Sequence, residues 1–280
     1  MSSLTDHQHH AGSRYALGRD AEESARLHRQ SDELGPETAA LLGRLGLRPG
    51  QVALDLGCGP RGIIDALADA VAPGGRVVGV DANAAHVERA RQHAEQREYD
   101  NVEVIVADAR NTGLPGGAFD LVHARTLLCT IPDPTQVLTE MVRLAKPGGW
   151  VASQEPGGGT MMCYPPIPAW GQLHQLFVAG FSGSGANPQI GPEVVELYRR
   201  AGLEQVELEV HAAAYPAGHS RRSLLPDLVR SLRPMLIERG LADGASLAEF
   251  DQQVRAHLAN ADVVMVSHLL FAVWGRKPAE

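Results

Sequence analysis

The sequence predicts an α/β fold with a doubly wound parallel sheet, and three observations carry that prediction. Along 280 residues the apolar period alternates between two and 3.6, the mark of strands and helices taken in turn. The 30 glycines and 18 prolines punctuate these segments and form no low-complexity runs. Three successive strands end in acidic or glycine-rich turns, which gathers their chemistry on one edge of the sheet.

Two helices precede the first strand. Asp20 with Glu23 reads as a helix start of capping-box type, and Pro36 opens a second helix carrying Leu41, Leu42 and Leu45. Val52 to Leu56 is the first strand, followed by a glycine-rich turn and a helix with Ile64, Leu67, Ala68 and Val71 on one face. Pro73-Gly74-Gly75 ends that helix. Arg76 to Val80, closed by Asp81, is the second strand, and Val87, Ala90 and Ala94 mark the next helix. Val102 to Val106 is a third strand ending at Asp108, and Phe119 to His123 a fourth. A helix with Val137, Leu138, Met141, Val142 and Ala145 stops at Lys146-Pro147-Gly148-Gly149, before a fifth strand from Trp150 to Gln154.

Past Glu155 the texture changes. Gly157-Gly158-Gly159, the proline-rich Tyr164 to Pro168, an aromatic segment and the flexible Ser182-Gly183-Ser184-Gly185 read as a lid. Pro192 starts a helix over Val194 to Ala201, and a strand follows near Val206 to Val210. A helical insertion comes next. Its pieces are Leu224 to Glu238, interrupted by Pro226 and Pro234, and Ser246 to Leu258, with Ser246 and Glu249 as a capping box. Val263 to Trp274 is the last strand.

Composition narrows the function classes. With 25 Lys and Arg against 33 Asp and Glu, a net charge of −8 and no basic run, neither nucleic acid nor an anionic membrane is expected as the main partner. Val263 to Trp274, the longest apolar stretch, is interrupted by Ser267 and His268 and falls short of the roughly 20 residues a membrane span needs. Met1 to Ser13 is polar, without the order of a signal peptide, so a cytoplasmic location is expected. Cys58, Cys129 and Cys163 are odd in number and far apart, so they build neither a disulfide framework nor a zinc site, and no metal is expected.

The chemistry concentrates at Asp55-Leu56-Gly57-Cys58-Gly59-Pro60-Arg61-Gly62, where a strand becomes a helix. Missing side chains there let a ligand approach the backbone while helix N–H groups point at it. Asp81 at the end of the next strand can accept from both hydroxyls of a ribose, and Asp108-Ala109 follows at the end of the third. Together these strand ends predict an adenosine-shaped ligand in the crevice at the sheet's switch point.

Five motifs then resemble the class I methyltransferases that use S-adenosylmethionine: Leu54-Asp55-Leu56-Gly57-Cys58-Gly59, Val78-Gly79-Val80-Asp81, Val106-Ala107-Asp108-Ala109, Phe119 to Arg125, and Leu144-Ala145-Lys146-Pro147-Gly148-Gly149. They run in the family's order over residues 50 to 155. The resemblance implies a Rossmann-like seven-stranded sheet whose last strand is antiparallel. It implies Gly57 and Gly59 against the methionine part of the cofactor, Asp81 with Ala82 at the ribose, Asp108 with Ala109 at the adenine edge, and Arg125 on the methionine side. Residues 1–48 would form an N-terminal helical segment folded over the cofactor, 49–155 the cofactor-binding core, and 156–280 an acceptor-binding half with lid, cap helices near 220–260 and final strands, all in one continuous domain. His123 to Leu128 and Ile131 to Pro134 look like the branch that modifies small molecules, many in antibiotic and terpenoid pathways. Arg61 stands where the family has its third glycine, which arrives one place late at Gly62. Cys129 stands where relatives often carry a histidine, so no catalytic histidine transfers to that position.

The remaining candidates come one by one. His123, at the cofactor edge, either contacts the methionine end or orients Arg125. Glu155, just after the fifth strand, is a candidate base or cation holder, against a solvated loop carboxylate. Tyr15 and Gln30 lie in the segment that would cover the cofactor. Trp170, Phe177 and Phe181 wall an apolar pocket or belong to the core, and His174, His211, His219 and His268 each could face an acceptor. The apolar stripes of the cap fit a cover over the site or a homodimer surface. The expected activity is methyl transfer to a small, partly apolar metabolite, with oxygen favoured over carbon and nitrogen. An NAD(P)-dependent oxidoreductase and a non-transferring binder of the same cofactor are the alternatives.

Overall fold

A computed structural model describes residues 21–183 and 185–279, so Tyr15 and Asp20 lie outside the described residues. The chain begins with α1 (Ala21–Glu33) and α2 (Gly35–Leu45). Strands and helices then alternate as β1 (Val52–Leu56), α3 (Ile64–Val71), β2 (Arg76–Asp81), α4 (Ala84–Gln96), β3 (Val102–Val106), β4 (Phe119–Arg125), α5 (Pro134–Leu144) and β5 (Ala145–Gly157). The second half holds β6 (Met162–Tyr164), α6 (Pro168–Ser182), α7 (Val194–Arg200), β7 (Glu204–His211), α8 (Leu224–Glu238), α9 (Gly244–Ala259), β8 (Val264–Val266) and β9 (Leu269–Arg276).

Seven strands form one sheet in the order β3-β2-β1-β4-β5-β9-β7. β1 to β5 run parallel, and β9 is antiparallel to both β5 and β7. Alternate residues face opposite sides. Ala53, Val77, Leu121 and Ala152 pack with Leu41 and Leu45 of α2 and Leu67 and Val71 of α3, whereas Leu54, Val78, Val122 and Val151 pack with α5 and α7. Covering both faces is what a parallel sheet requires, and each fully buried Leu or Val contributes roughly 1.5–3 kcal/mol.

The strand order reverses between β1 and β4, the switch point of the sheet. Leu56 stands opposite both Val80 and Ala124, and Asp81 opposite Val106, so the carboxyl ends of the first four strands are level. Everything that follows β1, β2, β3 and β4 therefore opens onto one crevice.

The cap has its own core. Leu173, Phe177, Leu232, Leu236 and Val254 join α6, α8 and α9, and a separate two-stranded sheet of β6 and β8 lies against them. The buried residues of the α8 and α9 stripes pack within the chain.

Four expectations change in detail. Of the segment expected to form a lid, Gly158–Thr160 is a short turn, Met162–Tyr164 is β6 and Pro168–Ser182 is α6, which packs into the cap. α8 runs unbroken, because Pro226 sits in the first turn, where an N–H has no helical partner, and burial of Leu232 and Leu236 holds the turns around Pro234 together. The cap of α9 is Asp243, whose carboxylate accepts from Ala245 N and Ser246 N, so the helix starts two residues before Ser246. The last apolar run is two strands, β8 and β9, divided at Ser267, whose N–H donates to Ala213 O beside an isolated antiparallel bridge of Val266 with Ala214.

Candidate active site

The turn after β1 is tied to its neighbour: Gly57 N and Cys58 N both donate to Val80 O, at 2.7 and 2.9 Å. Gly57 has φ +74°, and a Cβ there would stand 2.8 Å from Leu127 Cδ1. The late glycine is equally constrained. At Gly62, φ is +56° and a Cβ would fall 2.1 Å from Asp55 Oδ2.

Asp55 lies on the underside of this turn. Its Oδ2 accepts from Ile63 N at 2.9 Å and its Oδ1 is 3.1 Å from His123 Nδ1, with Asp55 2% and His123 0% exposed. Neither lines the crevice. The pair shapes the turn from below, and the structure does not bring these two expected site residues into the walls of the crevice.

The crevice itself is a cavity of about 320 Å³ whose walls include Gly57, Gly59, Asp81, Ala82, Asp108 and Ala109. Asp81 is held by two backbone donors: Gly59 N to Oδ2 and Asn83 N to Oδ1, each at 2.8 Å. Asn83 Nδ2 and His86 Nε2 are buried without a hydrogen-bond partner among the described residues, and both residues line the same cavity. Asp108 is gripped by Arg110, which holds its carboxyl below the usual carboxylate range. Arg125 closes one end of the cavity, 8% exposed. It donates to Thr38 Oγ1 at 3.1 Å, and to Ser31 Oγ and Gly62 O at 3.0 Å, so it ties α1 and α2 to the glycine turn. Burial lowers its pKa to about 10, which leaves it a cation at neutral pH.

A second, much smaller and more apolar chamber, about 60 Å³, adjoins the first, with Thr126 and Thr130 in the walls of both. Thr126 has φ +52°, an uncommon conformation for a β-branched residue, and accepts from Gln30 Nε2 at 3.1 Å. Gln30 lines this second chamber and not the crevice. Cys129, Phe177, Phe181, Arg221 and His268 are further walls, whereas Trp170 belongs to the cap core.

Glu155 lines neither space. It is 0% exposed and accepts from Leu127 N, Leu128 N and Cys129 N at 3.1, 3.0 and 3.1 Å, anchoring the loop that separates the two cavities. Burial pushes its carboxyl up to about 7, against those three donors, which favour the charged form. Both oxygens are engaged with backbone, so the side chain acts as a loop anchor.

Several lining residues escaped the sequence reading. Asn83 is the N-cap of α4, a position that its Asp-Ala-Asn spacing after a strand could have revealed. Leu27, His86, Arg110, Thr130 and Arg221 carry no local signal, because they reach the cavities only through tertiary packing.

A family described as "Methyltransferase domain" matches residues 47–177. The chain is 40% identical over 118 residues to an uncharacterized 37.1 kDa transposon protein of Streptomyces fradiae, a match covering 42% of this chain and only 34% of that one. It is 30% identical over 193 residues to the demethylmenaquinone methyltransferase of Geobacillus sp. (strain WCH70), covering 64% of this chain and 82% of the relative. A solved putative methyltransferase from Bacillus halodurans superposes with a TM-score of 0.60 at 17% identity, over 86% of this chain and 98% of that one.

Proposed function

Since the chain belongs to the class I S-adenosylmethionine-dependent methyltransferases, we propose that it transfers a methyl group to a small, partly apolar metabolite that sits where the crevice meets the second chamber, with oxygen favoured as the receiving atom. The observation that carries this reading is the junction of two cavities of different character at Thr126 and Thr130. The first, the more polar of the two, sits at the switch point with Asp81, Asp108 and Arg125 in its walls; the other is walled by Phe177, Phe181 and Leu228. The relative named demethylmenaquinone methyltransferase supports an apolar acceptor.

The residues present suit the cofactor. Asp81, oriented by two backbone donors, would accept from the ribose hydroxyls, with Ala82 beside it and Ala109 and Asp108 along the adenine end. The unpartnered Asn83 Nδ2 and His86 Nε2 offer it further hydrogen bonds. Gly57 and Gly59 leave the backbone open to the methionine part, next to Arg125. When bound, the cofactor supplies a methyl group on a sulfonium that loses its charge as the methyl leaves.

The chain's contribution is then positioning and exclusion of water. Phe177 and Phe181 keep the acceptor side apolar, and the Gln30–Thr126 hydrogen bond holds α1 against the loop between the cavities. Glu155 supports that loop from beneath. No Asp or Glu among the described residues lines the second chamber, so a carboxylate base is not part of the proposed chemistry.

Calorimetric titration with S-adenosylhomocysteine and with NAD tests the reading. Binding of the first alone is expected; binding of NAD alone would establish the oxidoreductase alternative. Tight S-adenosylhomocysteine binding with no methyl transfer across a panel of phenols, amines and prenyl compounds would favour a non-transferring protein on this fold.

A further inference from the structure

The second chamber carries a charge pattern that its apolar walls do not require. Its polar lining consists of Arg26, Gln30, Thr126, Thr130, Arg221 and His268, groups that mostly donate hydrogen bonds. Arg221 comes from the short turn Ser220–Ser223 at the start of the cap, yet it is only 4% exposed. Its Nη1 donates to Glu33 Oε2 at 2.9 Å, while Ser220 Oγ donates to the other oxygen at 2.7 Å. The guanidinium is thereby fixed from the α1 side. Its Nε–H is buried without an acceptor among the described residues. A buried charged donor left unmet is costly, and a ligand acceptor would satisfy it.

His268 stands on the same wall. Burial and the neighbouring Arg221 push its imidazole down to about 3, so it is neutral near pH 7 and can share a hydrogen bond without adding a second charge. Glu37 shares only a smaller, separate cavity with Arg221 and His268. An ammonium acceptor entering the second chamber would meet the Arg221 guanidinium and, among the described residues, no carboxylate in its walls, which is unfavourable in a desolvated space.

We propose that the second chamber selects an apolar acceptor presenting an acidic oxygen, as a phenolate, enolate or carboxylate, and that Arg221 is the residue determining that selectivity. The proposal rests on the methyl-transfer reading and narrows its acceptor class. An oxygen that arrives as an anion brings no proton for the chain to remove, in agreement with walls that hold no carboxylate among the described residues.

The test is calorimetric, on the full chain saturated with S-adenosylhomocysteine, using three probes of one shape: 4-ethylbenzoate, 4-ethylbenzyl alcohol and 4-ethylbenzylammonium. The carboxylate is expected to bind about tenfold tighter than the alcohol, and the ammonium weakest. Arg221→Gln should bring the carboxylate and alcohol within about threefold of each other while S-adenosylhomocysteine still binds, and Arg221→Lys should keep the ranking. Equal or better binding of the ammonium overturns the proposal, as does a carboxylate preference that survives Arg221→Gln, or no binding of any probe to the saturated protein. The wild-type ranking decides by itself if the glutamine variant fails to fold. Failure of S-adenosylhomocysteine to bind the wild type is a distinct result, which removes the methyl-transfer reading and this proposal with it.

Discussion

Asp55 and Asp81 are the same residue type at the same kind of place, a strand end under the crevice, yet they differ in what they can touch. Asp81 is partly open to the cavity with its carboxylate steadied by Gly59 N and Asn83 N, whereas Asp55 is sealed between Ile63 N and His123. Asp81→Ala is therefore expected to weaken S-adenosylhomocysteine binding by about 1–3 kcal/mol in calorimetry with little change in melting temperature. Asp55→Ala should instead lower unfolding stability by about 1–3 kcal/mol, because it orphans a buried N–H and an imidazole. The reverse pattern would show that the two roles are exchanged. Glu155 makes a pH prediction. Its folded pKa of about 7 lies above the 4.5 of an unperturbed glutamate, so between those values the native state holds more protons than the unfolded one. Its contribution is present below about 4.5 and is lost as pH rises through about 7. Urea unfolding should show wild-type stability falling relative to Glu155→Gln from about pH 5 to about pH 8. A difference independent of pH contradicts the assignment.

At the scale of elements, the helices and strands of the first half were legible because their signals are local. Ile64, Leu67, Ala68 and Val71 mark α3 by their spacing alone, and all four are buried. Where an element's limit depends on loop conformation, spacing was a poorer guide. Ser246 and Glu249 carry a capping pattern, but Asp243 reaches Ala245 N and Ser246 N from an extended backbone and starts the helix earlier. Asp243→Ala is expected to cost about 1 kcal/mol in denaturant unfolding, and Ser246→Ala less, since the Ser246 hydroxyl is exposed and only donates to Asp243. Equal losses would restore Ser246 as the cap. The prolines of α8 mislead for a related reason: the penalty of Pro234, about 3 kcal/mol, is offset by apolar burial on both sides of it, which no window of α8 alone contains.

Across the described residues the apolar core divides between clusters on the two faces of the sheet and one inside the cap. Leu232, 0% exposed, packs in the cap cluster, where a Cβ on Gly180 would come within 3.1 Å of its Cδ1. Leu232→Ala should cost about 2–5 kcal/mol and speed hydrogen exchange in α6, α8 and α9. Protection of β1 to β5 and S-adenosylhomocysteine affinity should hold; equal loss of protection in the sheet would mean that the cap and core open together. The same division explains what could be read without coordinates. Element order, the doubly wound sheet and the chemistry at the ends of β1, β2 and β3 followed from the sequence by itself, because periodicity, turn residues and strand-end motifs act over a few neighbouring positions. Which carboxylate faces the ligand, and how Gln30, Arg221 and His268 from three distant segments come to wall one chamber, was decided only by tertiary structure. Side-chain direction and desolvation there depend on packing between elements up to hundreds of residues apart, and no local spacing carries that information.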